Sequence, residues 1–322
     1  MKTLLITGVG GNVGQGILKN IKKNRPSCIR IGTDILDFNA GHHLCNKMFK
    51  VPYAINEKYI DCIRKIVNEE SVDLIFPSTD EESYQLSLHR NEIPAVIVTS
   101  LHQTVGRYID KYKTYLYHSK LELPFADSRL PSEYMGEFEN CIVKPRRGRG
   151  SRGISINPDD FSLFDDSYLV QELLEGIEIT TAFYVDTTNH LYSMITLERE
   201  LENGATNKCL VTRKYDERLK EIIEKLIANN KFQGSVNVQS IVSSGGNIVP
   251  FEINCRISGT NSIRSHFGFN DVEYALVEYL DKKELLRCEE IKEGVAVRVL
   301  SDVIYLGAKS YIDFDNIKPV LF

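Results

Sequence analysis

The sequence predicts a chain of mixed class, a parallel α/β domain at the front followed by an α+β remainder built on antiparallel strands. Three observations carry this. Over the first third of the chain, short apolar strands alternate with helical patterns, as in a parallel sheet with crossover helices. From Ile177 onward the strands "IEITTAFYVD", "HLYSMITLERE" and "NKCLVTRKY" follow one another directly, each bounded by polar turns. Between these regions a glycine- and arginine-rich stretch, "CIVKPRRGRGSRGI", is pinned between two apolar strands.

The elements fall in this order. "TLLITGV" is a buried strand, and "GNVGQGILKNIKKN" is a helix that starts among glycines and ends in lysines. "IRIGTDI" is a second strand, "EKYIDCIRKIVNEES" has helical periodicity, and "VDLIFPSTD" and "PAVIVTS" are further short apolar strands. "VGRYIDKYKTYLYHSKLEL" reads as one helix, ended by Pro124. "NCIVKP" and "GISI" are strands on either side of the glycine-rich loop, and "SYLVQELL" is another. After the antiparallel run, "DERLKEIIEKLIANN" is a helix, and "GSVNVQSIV" and "NIVPFEINCRI" form a hairpin around "SSGGN". "VEYALVEYLDKKEL" is a helix and "GVAVRVLSDV" a last strand.

Composition narrows the class. The 322 residues are enough for two or three compact units, with 42% hydrophobic and 26% charged residues. The net charge of −5 makes the overall field repulsive to nucleic acid, so such a role requires a local basic patch. Cys28, Cys45, Cys62, Cys141, Cys209, Cys255 and Cys288 include no pair at CxxC spacing, which predicts reduced, buried thiols. The N-terminus lacks the pattern of a signal peptide, and no apolar run reaches the ~18 residues of a membrane span. The expected location is cytoplasmic, with no membrane partner.

Four local signals bear on chemistry. In "TGVGGNVGQG", Gly8, Gly11 and Gly14 lie between a strand and a helix, and Asp34 ends the next strand. Glycines there admit a pyrophosphate to a helix N-terminus, and the acid suits a ribose. This allows a nicotinamide-dependent oxidoreductase or epimerase, although the same turn also serves as a plain strand-to-helix connection. The tyrosine–lysine pairs such a dehydrogenase needs, Tyr279/Lys283 and Tyr305/Lys309, lie far toward the C-terminus.

The second signal is the loop after Lys144. A strand ending in lysine, then glycines, then another strand wraps a triphosphate compactly, because the glycines free backbone amides for an anion nest. A nucleic-acid-binding module using Arg146 to Arg152, or a solvated hairpin, are the alternatives. The third signal is "PFEINCRISG". Alternation puts Glu252, Asn254 and Arg256 on one face of a strand, with Phe251, Ile253, Cys255 and Ile257 behind. Oxygen ligands suit Mg²⁺ and a guanidinium suits phosphate. On the preceding strand Asn237 and Gln239 share a face, and Gln239 is expected opposite Glu252. The fourth, "LVQELLEGIEITT", fits a hinge that reads an adenine edge, and fits a simple strand–turn–strand equally well.

In this order the four signals resemble the ATP-grasp superfamily, in particular one synthetase unit of the carbamoyl-phosphate synthase large subunit and its stand-alone relatives. The resemblance implies a Rossmann-like pre-ATP-grasp domain over 1–103, a small lobe over 104–174 and a large lobe over 175–322 that clasp ATP between them. By the same resemblance, Lys111 and Lys144 meet the ATP phosphates, and Gly148, Gly150, Ser151 and Gly153 form the phosphate loop. Glu172 and Leu174 lie at the base, and Glu178 at the ribose. Gln239, Glu252 and Asn254 are the Mg²⁺ ligands, with two ions expected and Mn²⁺ able to substitute. Arg256, with Lys144, is catalytic and steadies the transferring phosphoryl group. Gln239 matches the glutamine of carbamoyl-phosphate synthases, where many relatives have glutamate. The loop carries more arginines than the family's usual run.

The function so implied is an ADP-forming ligase that activates a carboxylate as an acyl phosphate and joins it to an amine or thiol. Its partners are small-molecule carboxylate and amine substrates, not nucleic acid, and dimers are common among such enzymes. Arg199, Ser258 and Arg264 are the candidates for gripping the substrate.

Overall fold

In the computed structural model the strands of the first third form a parallel sheet because their connections are helices. The structure describes residues 1–148, 150, 152–286, 289–311 and 317–322. Two compact units emerge: 1–99 with 256–291 and 297–322, and 100–255 with 292–296.

In the first unit β1 (Thr3–Ile6) leads through α1 (Asn12–Asn24) to β2 (Ile29–Asp34), β3 (Lys47–Lys50), α2 (Tyr59–Glu69), β4 (Leu74–Phe76), α3 (Asp80–Leu88) and β5 (Val96–Ile97). The sheet order is β3-β2-β1-β4-β5, all parallel. Leu5, Ile31 and Ile75 from the strands meet Ile63, Ile66 and Leu86 from the helices in one buried cluster. Two of these elements escape the sequence pattern. β3 is an edge strand with little buried surface, and α3 buries Glu82, Ser83 and Ser87 beside Leu86. Thr79 and Glu82 form a capping box at its start.

Residues 256–291, expected within the last lobe, cluster instead with this parallel domain. α7 (Asn261–Arg264) and α8 (Asp271–Ala275) follow Arg256. A Cβ on Gly16 of α1 would lie 2.3 Å from Asn261 Oδ1, so α7 comes against α1 at a glycine. Asn20 Nδ2 donates to Asn261, and Arg25 pairs with Glu273 at 2.6 Å and Asp281 at 2.9 Å. The helix predicted to run on to Leu285 continues from α8 as a wider π turn over Leu276–Leu280 and stops there.

The second unit holds α4 (His102–Tyr108), α5 (Lys111–Lys120) and two sheets. β6 (Ser128–Arg129), β7 (Cys141–Pro145), β8 (Ser155–Ile156) and β9 (Tyr168–Glu172) order as β6-β9-β7-β8. β10 (Ile177–Val185), β11 (Leu191–Glu202), β12 (Ala205–Thr212), β13 (Gly234–Val242), β14 (Ile248–Asn254) and β15 (Gly294–Val297) order as β14-β13-β10-β11-β12-β15, with α6 (Asp216–Asn229) between β12 and β13 in the chain. The long helix predicted over 105–123 is in fact two. Asp110 caps the second by accepting from the amides of Tyr112 and Lys113, and an N-cap residue leaves helical geometry. The β13–β14 hairpin closes as predicted around Ser243–Asn247, where Ser243 N donates to Asn247 O at 2.9 Å.

Among the described residues no helix is long and apolar enough to cross a membrane. The described cysteines are all free, and Cys28, Cys141, Cys209 and Cys255 are buried; Cys288 lies outside the described residues.

Arg264 and Asp271 form the most deeply buried ion pair, at 2.5 Å, with side-chain exposures of 0% and 1%. Arg264 also donates to Ser258 Oγ at 2.6 Å and Thr260 Oγ1 at 2.9 Å. A buried charge that loses its partner is costly, whereas replacing both partners with apolar groups is not. Arg264→Met is therefore expected to destabilise the fold by about 3–5 kcal/mol in denaturant titration, and Arg264→Met with Asp271→Leu to recover most of it.

Candidate nucleotide and metal site

The second unit encloses a cavity of about 260 Å³ whose walls come from both of its sheets. Lys111 reaches it from the first turn of α5, Lys144 from β7, and Glu172 and Leu174 from the end of β9. Glu178 enters from β10, Gln239 from β13 and Glu252 from β14. Ile142, Leu173, Ile241 and Phe251 supply apolar wall, and Gly148, Gly150 and Arg152 come from the glycine-rich loop.

The hairpin register sets the polar cluster. Gln239 pairs opposite Glu252 and Asn237 opposite Asn254, as alternation predicts. The next pair is Ser240 with Pro250, so Phe251 is an extra residue in a β-bulge. Strict alternation puts Phe251 behind the polar face. The bulge instead lets Phe251 and Glu252 line the same cavity, while Ile253 and Cys255 stay buried. Phe251 then underlies Lys144, whose Nζ is 5.3 Å from the ring centroid.

The side chains are linked in sequence. Arg199 of β11 donates to Glu178, at 3.1 Å through Nε, and its Nη2 donates to Glu178 and to Gln239 Oε1. Gln239 Nε2 donates to Asn254 Oδ1 at 3.3 Å, and Asn254 Nδ2 donates to Glu252 Oε1 at 3.1 Å. Lys111 Nζ is 3.7 Å from Glu252 Oε1 and 3.4 Å from Gly148 O. Glu172 Oε1 accepts from Asp127 N at 2.8 Å, which pins the end of β9.

The loop is anchored at its start. Arg146 pairs with Asp110 at 2.7 Å, and Lys111 N donates to Arg146 O at 3.0 Å. Burial pushes the Asp110 carboxyl up, but hydrogen bonds from Arg146 and from the α5 amides outweigh it and hold the group below its ordinary value. The first loop arginine is thus committed to the α5 cap. Gly150 and Gly153 have φ of +62° and +69°, conformations that glycine adopts freely. Ser151 and Arg149 lie outside the described residues.

The other expected residues belong to the first unit. Arg256 Nη2 donates to Asp80 Oδ2 at 2.8 Å and Nη1 to Ile257 O at 3.3 Å, while Nε is buried with no partner among the described residues. Ser258 and Arg264, expected to grip substrate, are instead buried in the Asp271 network, so their polar atoms already have partners. Asp34, expected to read a ribose, braces the glycine turn by accepting from Gly10 N at 2.8 Å through Oδ2, and its Oδ1 accepts from Leu36 N in its own following turn at 3.1 Å. Sequence reasoning missed Asp110 and the bulged Phe251. Alternation carries no signal for the bulge, whereas an aspartate opening a helical pattern is an ordinary cap signal.

Gln239 on β13 and Glu252 and Asn254 on β14 offer four side-chain oxygens, a donor set that fits Mg²⁺. Only one of the three is a carboxylate, and among the described residues no cluster of three or more His, Cys, Asp or Glu side chains could hold a metal. The set therefore requires phosphate oxygens to complete a coordination sphere.

Burial lowers the Lys144 amine to about 8; nearby Glu252 opposes this and Lys111 adds to it. The amine is protonated below about pH 8 and neutral above, so phosphate binding above that pH must take up a proton. Mg-ATP affinity is expected to fall about tenfold per pH unit above 8, read by calorimetry in buffers of different ionisation enthalpy. Lys144→Met should bind more weakly and lose the proton uptake; an unchanged slope in the variant would refute the assignment.

Comparison with known proteins places these elements. Residues 108–260 match the family model of the ATP-grasp domain, and residues 4–101 match that of the PylC-like N-terminal domain. No curated protein matches the sequence. Among solved structures, N5-carboxyaminoimidazole synthetase from Staphylococcus aureus with ADP superposes with a TM-score of 0.76 at 16% identity, over 93% of this chain and 82% of that one. The biotin carboxylase domain dimer of Hydrogenobacter thermophilus 2-oxoglutarate carboxylase, with MgADP, ADP and bicarbonate, gives 0.70 at 12%, over 92% and 74%. Campylobacter jejuni biotin carboxylase with a bound ATP ligand gives 0.69 at 14%, over 97% and 77%. At these identities the likeness is one of fold.

Proposed function

The chain carries an ATP-grasp domain behind a PylC-like N-terminal domain, and from that premise we propose that it is an ADP-forming ligase that joins a carboxylate to an amine. The observation that carries the reading is the convergence of Gln239 and Glu252 with Lys111 and Lys144 around one cavity, with Asn254 hydrogen-bonded to both Gln239 and Glu252.

A carboxylate is a poor electrophile because its leaving group would be oxide. Phosphorylation by ATP converts that oxygen into phosphate, and an amine then displaces it. The protein's task is mostly placement and neutralisation of charge. Lys111 and Lys144 offset phosphate charge, and the backbone between Glu172 and Leu174 faces the base beside Ile142 and Ile241. Gln239, Glu252 and Asn254 would hold Mg²⁺, which would supply charge neutralisation at the phosphates. The loop after Arg146 covers the phosphates and keeps water from the acyl phosphate. Its anchored start leaves the glycines to move. Arg256, expected to steady the transferring phosphoryl group, belongs to the first unit, where it pairs with Asp80.

The finer reading is a single unit of the carbamoyl-phosphate-synthase type. It rests on Gln239 at the position where many relatives carry glutamate. One such unit performs one phosphorylation, so its product is the acyl phosphate or the amide derived from it. One of the similar folds, the biotin carboxylase domain of 2-oxoglutarate carboxylase, is in complex with bicarbonate, which supports a carboxylate substrate here.

The test is hydroxylamine trapping with Mg-ATP and a panel of carboxylates. The wild-type chain should form ADP and a hydroxamate with at least one of them. Glu252→Gln should lose ADP formation by roughly 10²-fold or more while keeping its melting temperature. Full turnover in that variant would refute the metal-site assignment.

A further inference from the structure

Each residue of the proposed metal set has an oxygen that faces a donor from within the chain. Gln239 Oε1 accepts from Arg199, Asn254 Oδ1 from Gln239 Nε2, and Glu252 Oε1 from Asn254 Nδ2, with Lys111 Nζ 3.7 Å away. The sequence of contacts runs from Glu178 through Arg199, Gln239, Asn254 and Glu252 to Lys111. It has a cation at Gln239 and another at Glu252. Arg199 is held on both sides, because its guanidinium bonds Glu178 as well as Gln239, and its side chain is only 12% exposed.

We propose that Arg199 is an internal counter-ion that occupies the metal ligands until nucleotide arrives, so that a divalent cation enters only together with ATP. The proposal rests on the ligase reading and deepens it by giving the site an order of loading. A guanidinium cannot escape by deprotonation at any working pH. A dication on Gln239 Oε1 would sit beside that fixed charge and be repelled. The set has one carboxylate, too little to displace Arg199 alone. An incoming triphosphate changes the balance, since its oxygens accept a guanidinium bidentately. Arg199 then passes from Gln239 to the phosphate, the carboxamide oxygen becomes available, and the phosphate supplies the missing ligands. Metal and nucleotide binding become positively coupled, each strengthening the other by the same factor.

The experiment titrates Mn²⁺ into the full chain and reads the free ion by electron paramagnetic resonance, with and without ADP. The wild type should bind Mn²⁺ more weakly than ~1 mM alone and far more tightly with ADP. Arg199→Met should bind Mn²⁺ alone at least roughly tenfold more tightly than the wild type, and the enhancement by ADP should shrink by a similar factor. Arg199→Lys, which keeps a cation, should stay close to the wild type. Where the apolar variant unfolds, Arg199→Gln retains a donor to Glu178 and carries the same expectation. Unchanged nucleotide-free Mn²⁺ affinity in both neutral variants would overturn the proposal while leaving the ligase reading intact. A wild-type chain in which ADP neither binds nor alters Mn²⁺ affinity would overturn both.

Discussion

The bulged pairing of β13 with β14 is the constraint on which the candidate site depends. It sets Gln239 across from Glu252 and Asn237 across from Asn254, so the three donor side chains gather from two strands. The extra residue, Phe251, turns its ring into the cavity beside Glu252 instead of behind it. A one-residue slip elsewhere in a strand would send every polar group to the opposite face. Here the irregularity is local: without it Gln239 would pair with Phe251, and with it Glu252 takes that place while Phe251 adds an apolar surface under Lys144.

That surface matters because the site keeps charge where water is scarce. Lys144 has only 6% of its surface exposed, and an aromatic face is one of the few neutral partners that favours an ammonium. Burial still lowers the amine to about 8, which leaves it poised to gain from an arriving anion. Lys111 is balanced by Glu252, and Arg199 by Glu178. The resting cavity is therefore neutralised from within, and a polyanionic ligand has to exchange partners rather than fill an empty charge field. Arg146 takes no part in that exchange, since it locks the loop's first residue to Asp110 at the α5 cap.

In the first unit, polar groups serve architecture. Asp34 braces the glycine turn through Gly10 N. Glu82, fully buried, is pushed up by desolvation and held by Thr7 and Thr79, which fix the start of α3. The Arg264–Asp271 pair, with Ser258 and Thr260, turns the chain between α7 and α8. A sequence that places arginine and serine just beyond β14 invites a substrate-binding reading, whereas in the structure both side chains are buried and bonded to one another.

The sequence by itself determined the order of elements and most of the polar residues that converge. Apolar alternation marked β13 and β14 and put Glu252 and Asn254 on one face, although the pairing of Gln239 with Glu252 depends on the bulge. The glycines after Lys144 identified the loop, because only they admit the backbone shapes it uses. Tertiary structure decided what periodicity does not encode. α3 was silent in the sequence because the side it buries is Glu82, Ser83 and Ser87. The break at Asp110 is a local cap that Arg146 reinforces from a distance, whereas the bulge at Phe251 is a matter of strand pairing that alternation does not encode. The commitment of Arg199 to Glu178 and Gln239 likewise joins three strands. A charged side chain reveals its chemical type in the sequence, but its role depends on which opposite charge the fold brings within reach.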